Sequence, residues 1–273
     1  VKEGREEDPG MISRAWVADR LRARGEDSVM YQSRVLARFP ADADDRLVPL
    51  SWLDIAHQRA EELEELFDTG EENLEKSWLG DIDLGLDVAR LGEDSTCMPI
   101  AYPQGIRSVE HFRKAPTTDT AAWAVGIFRQ LRASTMRVDA TGLGAGVYDM
   151  AAQELGAQVI EMVPGSAALD PVRYINARAE WGWNLRQLCD PKREGGSIGI
   201  VRDERLALQL AEYKWKQDKK GRIQLEPKED LKRRIRMSPD EADASMYALA
   251  KVNWNAPVAV DADLGYRENP WKV

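Results

Sequence analysis

The stretch Asp81-Ile82-Asp83-Leu84-Gly85-Leu86-Asp87-Val88-Ala89 constrains the chain more than any other. Ile82, Leu84, Leu86 and Val88 alternate onto one face, and Asp81, Asp83, Gly85 and Asp87 fall on the other. Strict alternation predicts a strand. A central strand of an α/β sheet is normally apolar on both faces. A carboxylate late in such a strand costs free energy unless it is solvated, paired or holding a metal. Asp87 is therefore a candidate metal ligand, and later acids are expected to complete its site.

The histidines, His57 and His111, are too few and scattered to build a histidine-based site, and Cys97 and Cys189 form no metal-binding pair by spacing. A metal would be held mainly by carboxylates, which points to Mg²⁺ or Mn²⁺ rather than Zn²⁺. The two cysteines, without a secretion signal, fit reduced thiols in a cytoplasm. No apolar run is long enough to predict a membrane span. The net charge of −9 argues against indiscriminate wrapping of nucleic acid, but the charge is uneven. Residues 1–80 carry 11 Lys+Arg against 19 Asp+Glu, whereas residues 214–236 carry 10 against 4. A local basic patch is thus expected in an acidic chain.

Along the chain, Ser13 is placed as the cap of a helix reaching Gly25, followed by a mixed segment at 31–40 and an acidic loop at 42–45. A helix is predicted from Trp52 to about Phe67, then a polar turn at 69–73 and a domain boundary near Ser77. From Leu79 the pattern is α/β. Strands at 81–89, 95–102 and 107–113 read as an antiparallel meander, and a helix follows at about 119–132. A strand at 135–140 leads through a glycine turn into a helix ending at Leu155, then a strand at 158–163 and a long helix from Pro171 to about Leu188. A strand at 197–201, a helix at 203–213, a hairpin at 214–225 and a helix from Ser238 to about Val252 complete the series. The tail from Asn253 is rich in Pro, Asn and Asp and reads as poorly ordered.

Two later acids carry the argument. Asp139 ends its strand, with Met136 and Val138 on one face and Arg137 and Asp139 on the other. If that strand lies parallel to the first, Asp87 and Asp139 are neighbours, and a divalent cation relieves their repulsion. Taken singly, either acid could be a cap or half of a salt bridge. Ser238-Pro239-Asp240-Glu241 reads as a helix start with a capping box, which accounts for acids in the first turn. It does not account for Asp243, which shares a stripe with Met246, Tyr247 and Ala250. Asp240 lies one turn before it.

The turn Gly142-Leu143-Gly144-Ala145-Gly146 follows a strand and opens a helix, as a dinucleotide-binding turn would. Val147 stands where the third glycine belongs, and Asp139 would repel a pyrophosphate, so that reading is weak. A Walker A motif is absent. The basic residues Lys214, Lys216, Lys219, Lys220 and Arg222 of the hairpin, with Lys228, Lys232, Arg233, Arg234 and Arg236 beyond it, lead straight into Asp240 and Asp243. They are either a solvated face or a grip on a phosphodiester backbone beside the acids.

Three motifs in order resemble the nuclease domain of phage large terminase subunits: Gly85 to Thr96, Val138-Asp139-Ala140-Thr141-Gly142-x-Gly144-x-Gly146, and Ser238 to Ala244. Earlier segments, Ile12 to Val17, Tyr31 to Pro40 and Leu47 to Trp52, look like the linker between the terminase motor and nuclease. The resemblance implies a ribonuclease H-like mixed five-stranded sheet flanked by helices, with an added basic β-hairpin. It implies linker at 1–78, nuclease at 79–252 and a flexible tail at 253–273, with the ATPase motor absent from this chain. It further implies an endonuclease cutting concatemeric double-stranded viral DNA with two metal ions, Mg²⁺ or Mn²⁺, in the host cell cytoplasm. Asp87 would bridge both ions and Asp139 and Asp243 complete one each, with Asp240 in a less defined role. Lys214, Lys216, Lys219, Lys220, Arg222, Lys232, Arg233 and Arg234 would contact DNA, and the portal protein and small terminase subunit would be partners. A junction resolvase, a transposase-like strand transferase and a non-catalytic DNA- or portal-binding module are the alternatives.

Overall fold

The computed structural model describes residues 45–68, 78, 80–88, 96–112 and 115–250, with Val17, Ala18, Leu21, Arg22, Tyr31 and Val35. Apart from those few positions, the expected helix at 13–25, the segment at 31–40, the acidic loop before Asp45, the turn at 69–73, the boundary near Ser77 and the tail from Asn253 lie outside the described residues.

The elements run α1 (Leu50–Asp68), β1 (Asp83–Leu86), β2 (Thr96–Tyr102), β3 (Gly105–Phe112), α2 (Thr117–Leu131), β4 (Thr135–Asp139), α3 (Leu143–Leu155), β5 (Val159–Met162), α4 (Ala177–Cys189), β6 (Gly199–Ile200), α5 (Glu204–Glu212), β7 (Trp215–Gln217), β8 (Ile223–Leu225), α6 (Lys228–Ile235) and α7 (Asp240–Ala248). The sheet order is β5-β4-β1-β2-β3-β6, with β7 and β8 forming a separate antiparallel hairpin. The meander β1–β2–β3 is antiparallel, and β4 and β5 lie parallel to β1. The expected mixed sheet is present with six strands rather than five. The short strand expected near 197–201 pairs parallel to β3 and so joins the same sheet.

Alternation in β1 sorts the two faces of the sheet. Leu84 and Leu86 pack with Met136 and Val138 against Ala121, Ala124, Val125 and Phe128 of α2 and Val147 and Ala151 of α3. The opposite face takes α7. A Cβ at Gly85 would stand 2.0 Å from the carbonyl oxygen of Ala244 and 2.7 Å from the amide nitrogen of Ala248. Glycine is what lets α7 lie directly on β1. Asp83, at the start of β1, is structural: it pairs with Arg137 at 3.0 Å and accepts a hydrogen bond from Thr135 Oγ1. Arg137 also donates to the carbonyl of Ala248 at 2.8 Å, which ties β4 to the end of α7.

Helix α1 does not hang free. Leu53 and Ala56 are fully buried in the core beneath α4, α5 and α7, and His57 Nδ1 lies 2.8 Å from the carbonyl oxygen of Ile200. The segment before it makes one antiparallel bridge, Arg46 to Lys214, to the hairpin base: Leu47 N–H donates to Tyr213 O, and Trp215 N–H to Asp45 O.

Local chemistry moved two expected boundaries and added one helix. The long helix begins at Ala177, not Pro171, because Asn176 caps it by accepting from the amide of Ala179. Residues 228–235 form an additional helix, α6, entered through Pro227. The last helix begins at Asp240, and the expected capping box does not form: Pro239 occupies the cap position and supplies no side-chain hydrogen bond. Ser238 Oγ instead donates to the Asp240 side chain.

Replacing Gly85 by Ala is expected to lift α7 off β1 and to cost at least the roughly 1–3 kcal/mol typical of overpacking. Urea unfolding should show the lowered midpoint; an unchanged midpoint would contradict the close approach.

Candidate metal centre

Three of the four predicted acids meet at one point, and that point is an ammonium group. Lys228 Nζ lies 3.0 Å from Asp87 Oδ2, 3.0 Å from Asp240 Oδ1 and 3.2 Å from Asp243 Oδ2. Asp87 follows β1, where it exchanges backbone hydrogen bonds with Cys97 of β2. Asp240 and Asp243 project from the first turn of α7. Lys228 opens α6, placed there by Pro227. All three acids are buried.

The fourth acid, Asp139, ends β4. The parallel register pairs Leu86 with Val138, so the next residues, Asp87 and Asp139, fall side by side. Both oxygens of Asp139 are held by the protein. Oδ1 accepts from Thr141 N–H at 2.9 Å and Thr141 Oγ1 at 2.6 Å, and Oδ2 accepts from Tyr247 O–H at 3.0 Å. The glycine turn is explained at this point: a Cβ at Gly144 would lie 1.8 Å from the Asp139 carbonyl oxygen. Asp243 Oδ1 accepts from Tyr213 O–H at 2.9 Å and lies 3.5 Å from Arg178 Nη2, leaving Oδ2 to face Lys228.

The electrostatics follow from burial. Desolvation pushes the Asp87 carboxyl up to about 7; Lys228 opposes the shift, while Asp240, Asp243 and Asp139 reinforce it. Burial alone would lower the Lys228 ammonium, but Asp243, Asp87 and Asp240 outweigh it and drive its pKa well above the usual lysine value. Burial and the nearby acids Asp243, Asp87 and Asp139 raise the Tyr247 phenol, which keeps it a proton donor to Asp139. One ammonium faces three carboxylates, and the cluster attracts further cation charge.

Among the described residues, no acidic, histidine or cysteine group is drawn together to the spacing of a formed metal site. The three acids surround Lys228 at hydrogen-bond distance instead. The donor set nonetheless suits a hard divalent cation: every candidate ligand atom is a carboxylate oxygen. Asp240 Oδ2 is buried without a hydrogen-bond partner.

The basic residues divide. Lys214 pairs with Asp45 at 2.8 Å, Arg222 with Asp218 at 2.8 Å, and Arg234 with Glu212 and Glu226 at 2.5 and 2.6 Å. These charges are engaged within the fold. Lys216, Lys219 and Lys220 of the hairpin are exposed, Arg233 is exposed beside Asp230, and Lys232 is half-buried. Lys228 belonged by sequence to the same basic run, and nothing in its neighbours marked it as the centre of the acid cluster. Tyr213 and Arg178 were also not singled out, and only the folded helix packing brings them to Asp243.

The nuclease domain of the large terminase subunit gp2 of bacterial virus Sf6 shares the fold, with a TM-score of 0.63 at 15% identity over 76% of this chain and 100% of that one. A mutant of that domain with manganese and beta-thujaplicinol matches at 0.63 and 14% over the same shares, and one with calcium at 0.63 and 15%. At such identity the likeness shows a common fold, the ribonuclease H-like fold implied by the motifs. No protein-family model and no curated protein matches the chain. No helix among the described residues is long and apolar enough to cross a membrane.

The raised Asp87 value has a definite sign. Between the ordinary carboxylate pKa and about 7 the folded metal-free chain binds more protons at Asp87 than the unfolded chain does. Its contribution to stability therefore falls as pH rises through that window. Asp87→Asn should flatten the decline in thermal midpoint between pH 4 and 7, and parallel curves for the two proteins would refute the assignment.

Proposed function

We propose that this chain is a metal-dependent endonuclease that hydrolyses phosphodiester bonds of double-stranded DNA during viral genome packaging. The observation that carries the reading is the convergence of Asp87, Asp240 and Asp243 on one buried point, with Asp139 beside it, in a fold shared with a terminase nuclease domain.

Asp87 would be shared by two divalent cations, Mg²⁺ or Mn²⁺, with Asp139 completing one site and Asp243 the other. Asp240 would support the Asp243 side. Bound cations of this kind activate a water and neutralise charge on the attacking and leaving oxygens. The protein's own part is orientation. Thr141 and Tyr247 fix Asp139, Tyr213 and Arg178 fix Asp243, and the close seat of α7 on Gly85 sets the distance between helix and strand. Lys228 holds the acids together in the cation's place and must give way to it. The exposed lysines of the β7–β8 hairpin, Lys216, Lys219 and Lys220, with Lys232 and Arg233, supply the charge that would track a phosphate backbone. Lys214, Arg222 and Arg234 would contribute less, since each already has an acidic partner. The portal protein and small terminase subunit are the partners this reading implies.

Asp87→Ala or Asp139→Ala should reduce Mn²⁺-dependent plasmid nicking to background while the circular dichroism spectrum stays folded. Wild-type cleavage by either variant would sink the reading, and strong preference for branched over linear DNA would favour a junction resolvase.

Lys228→Ala should bind Mn²⁺ more tightly, because no ammonium competes for the carboxylates. The metal-free variant should be destabilised. Removing one partner of a buried pair costs about 3–5 kcal/mol, and the one-third exposure of Lys228 places the loss below that range. Calorimetric titration and urea melts with and without Mn²⁺ measure both effects; weaker metal binding would contradict the displacement.

A further inference from the structure

The first turn of α7 carries two of the four acids, yet it has no side-chain cap of its own. Its amide at Ala242 and the side chains of Glu241 and Asp243 are served from α5 and the residue after it. Arg205, Gln209 and Tyr213 follow one another at four-residue intervals along α5 and the residue after it, so they lie in one row on one face. Each meets the start of α7. Arg205 Nε is 2.6 Å from Glu241 Oε1. Gln209 is completely buried; its amide donates to Glu241 Oε2 and, at 3.1 Å, to the carbonyl of Ser238, while its oxygen accepts from the amide of Ala242 at 2.8 Å. Tyr213 O–H donates to Asp243 Oδ1.

We propose that the Arg205–Gln209–Tyr213 row is a positioning device for the metal centre, a cap delivered in trans that fixes the rotation and depth of α7 and so the placement of Asp240 and Asp243. Gln209 is its main member. It replaces the missing cap at Ala242, fills the acceptor at Ser238 just before the turn, and holds Glu241 between the two acids. A purely apolar α5 would leave these buried polar groups unsatisfied, at the cost that attends each one. Tyr213 extends the row to an acid itself, and its backbone is in turn fixed by Leu47 N–H. None of the three would touch the scissile phosphate. The inference rests on the metal-centre reading for its functional consequence, but the grip on α7 is a property of the metal-free fold.

The test uses the full chain carrying Gln209→Met, which keeps the length of the side chain and removes its hydrogen bonds. Peptides covering residues 238–246 should exchange backbone hydrogens faster than in the wild type, with the rest of the sheet unchanged. Mn²⁺ affinity by calorimetry should fall about 10- to 100-fold, the range for lost supporting contacts at metal sites. Plasmid nicking should return toward the wild-type rate as Mn²⁺ is raised, which general damage to the fold would not permit. Unchanged exchange in 238–246 overturns the grip. Unchanged Mn²⁺ affinity with faster exchange overturns the link to the metal centre. If the wild type binds no Mn²⁺, the metal reading fails, and the exchange result still decides whether the row holds α7. Should Gln209→Met not fold, Tyr213→Phe, which removes one hydroxyl, is expected to weaken Mn²⁺ binding in the same direction, and an unchanged affinity there overturns the proposal.

Discussion

Everything at the centre of this molecule depends on burying like charges next to one another. Asp87, Asp139, Asp240 and Asp243 are withdrawn from water at one end of the sheet, and the chain sets the ammonium of Lys228 against Asp87, Asp240 and Asp243 and the guanidinium of Arg178 beside Asp243. Such an arrangement is unfavourable unless each carboxylate is also hydrogen-bonded. Thr141 and Tyr247 supply such bonds to Asp139, Tyr213 to Asp243 and Ser238 to Asp240, while Asp87 accepts from Lys228 and Asp240 Oδ2 is left without a partner. Under the proposed function, this is the cost that an arriving divalent cation would relieve.

The scaffold achieves this with few special residues. Gly85 brings α7 onto β1, Gly144 brings α3 against the end of β4, and Arg137 ties β4 to the end of α7. The two strands that carry acids are parallel neighbours in the middle of the sheet. The helix that carries the other two crosses directly over them. The same helix is gripped from its far side by α5, so both the floor and the roof of the site are fixed by close contacts.

Much of this was legible in the primary structure. The alternation in 81–89 marked β1 and the odd position of Asp87, and the same reasoning marked Asp139. Asp243 stood out because a capping role could not explain an acid on a docking stripe. Beyond the neighbouring strands of Asp87 and Asp139, the chain did not announce contacts that depend on two elements meeting. Lys228 sits in a run of basic residues, and only the turn at Pro227 sends it inward. The apolar stripe of the short helix α6 is only two residues long, Leu231 and Ile235, and is lost among the surrounding charges. Ser238 has every local mark of a helix cap, but a buried glutamine from α5 takes over the work at Ala242. The basic run was visible as charge, while its division into exposed residues (Lys216, Lys219, Lys220, Arg233) and internally paired ones (Lys214, Arg222, Arg234) required the partners Asp45, Asp218, Glu212 and Glu226.

The placement of α7 has a consequence for the order in which the molecule can be made. Asp87 directly follows the first strand of the sheet and Asp243 lies in the last helix described, so the acid cluster joins segments separated by most of the domain. A nascent chain that has emerged only as far as the hairpin holds Asp87 and Asp139 but neither Lys228 nor the acids of α7. Contacts of such long sequence separation form late, because the intervening loop must close before they contribute. The acid cluster is thus completed only once α7 has emerged, and a product truncated before Asp240 carries only half of its carboxylates.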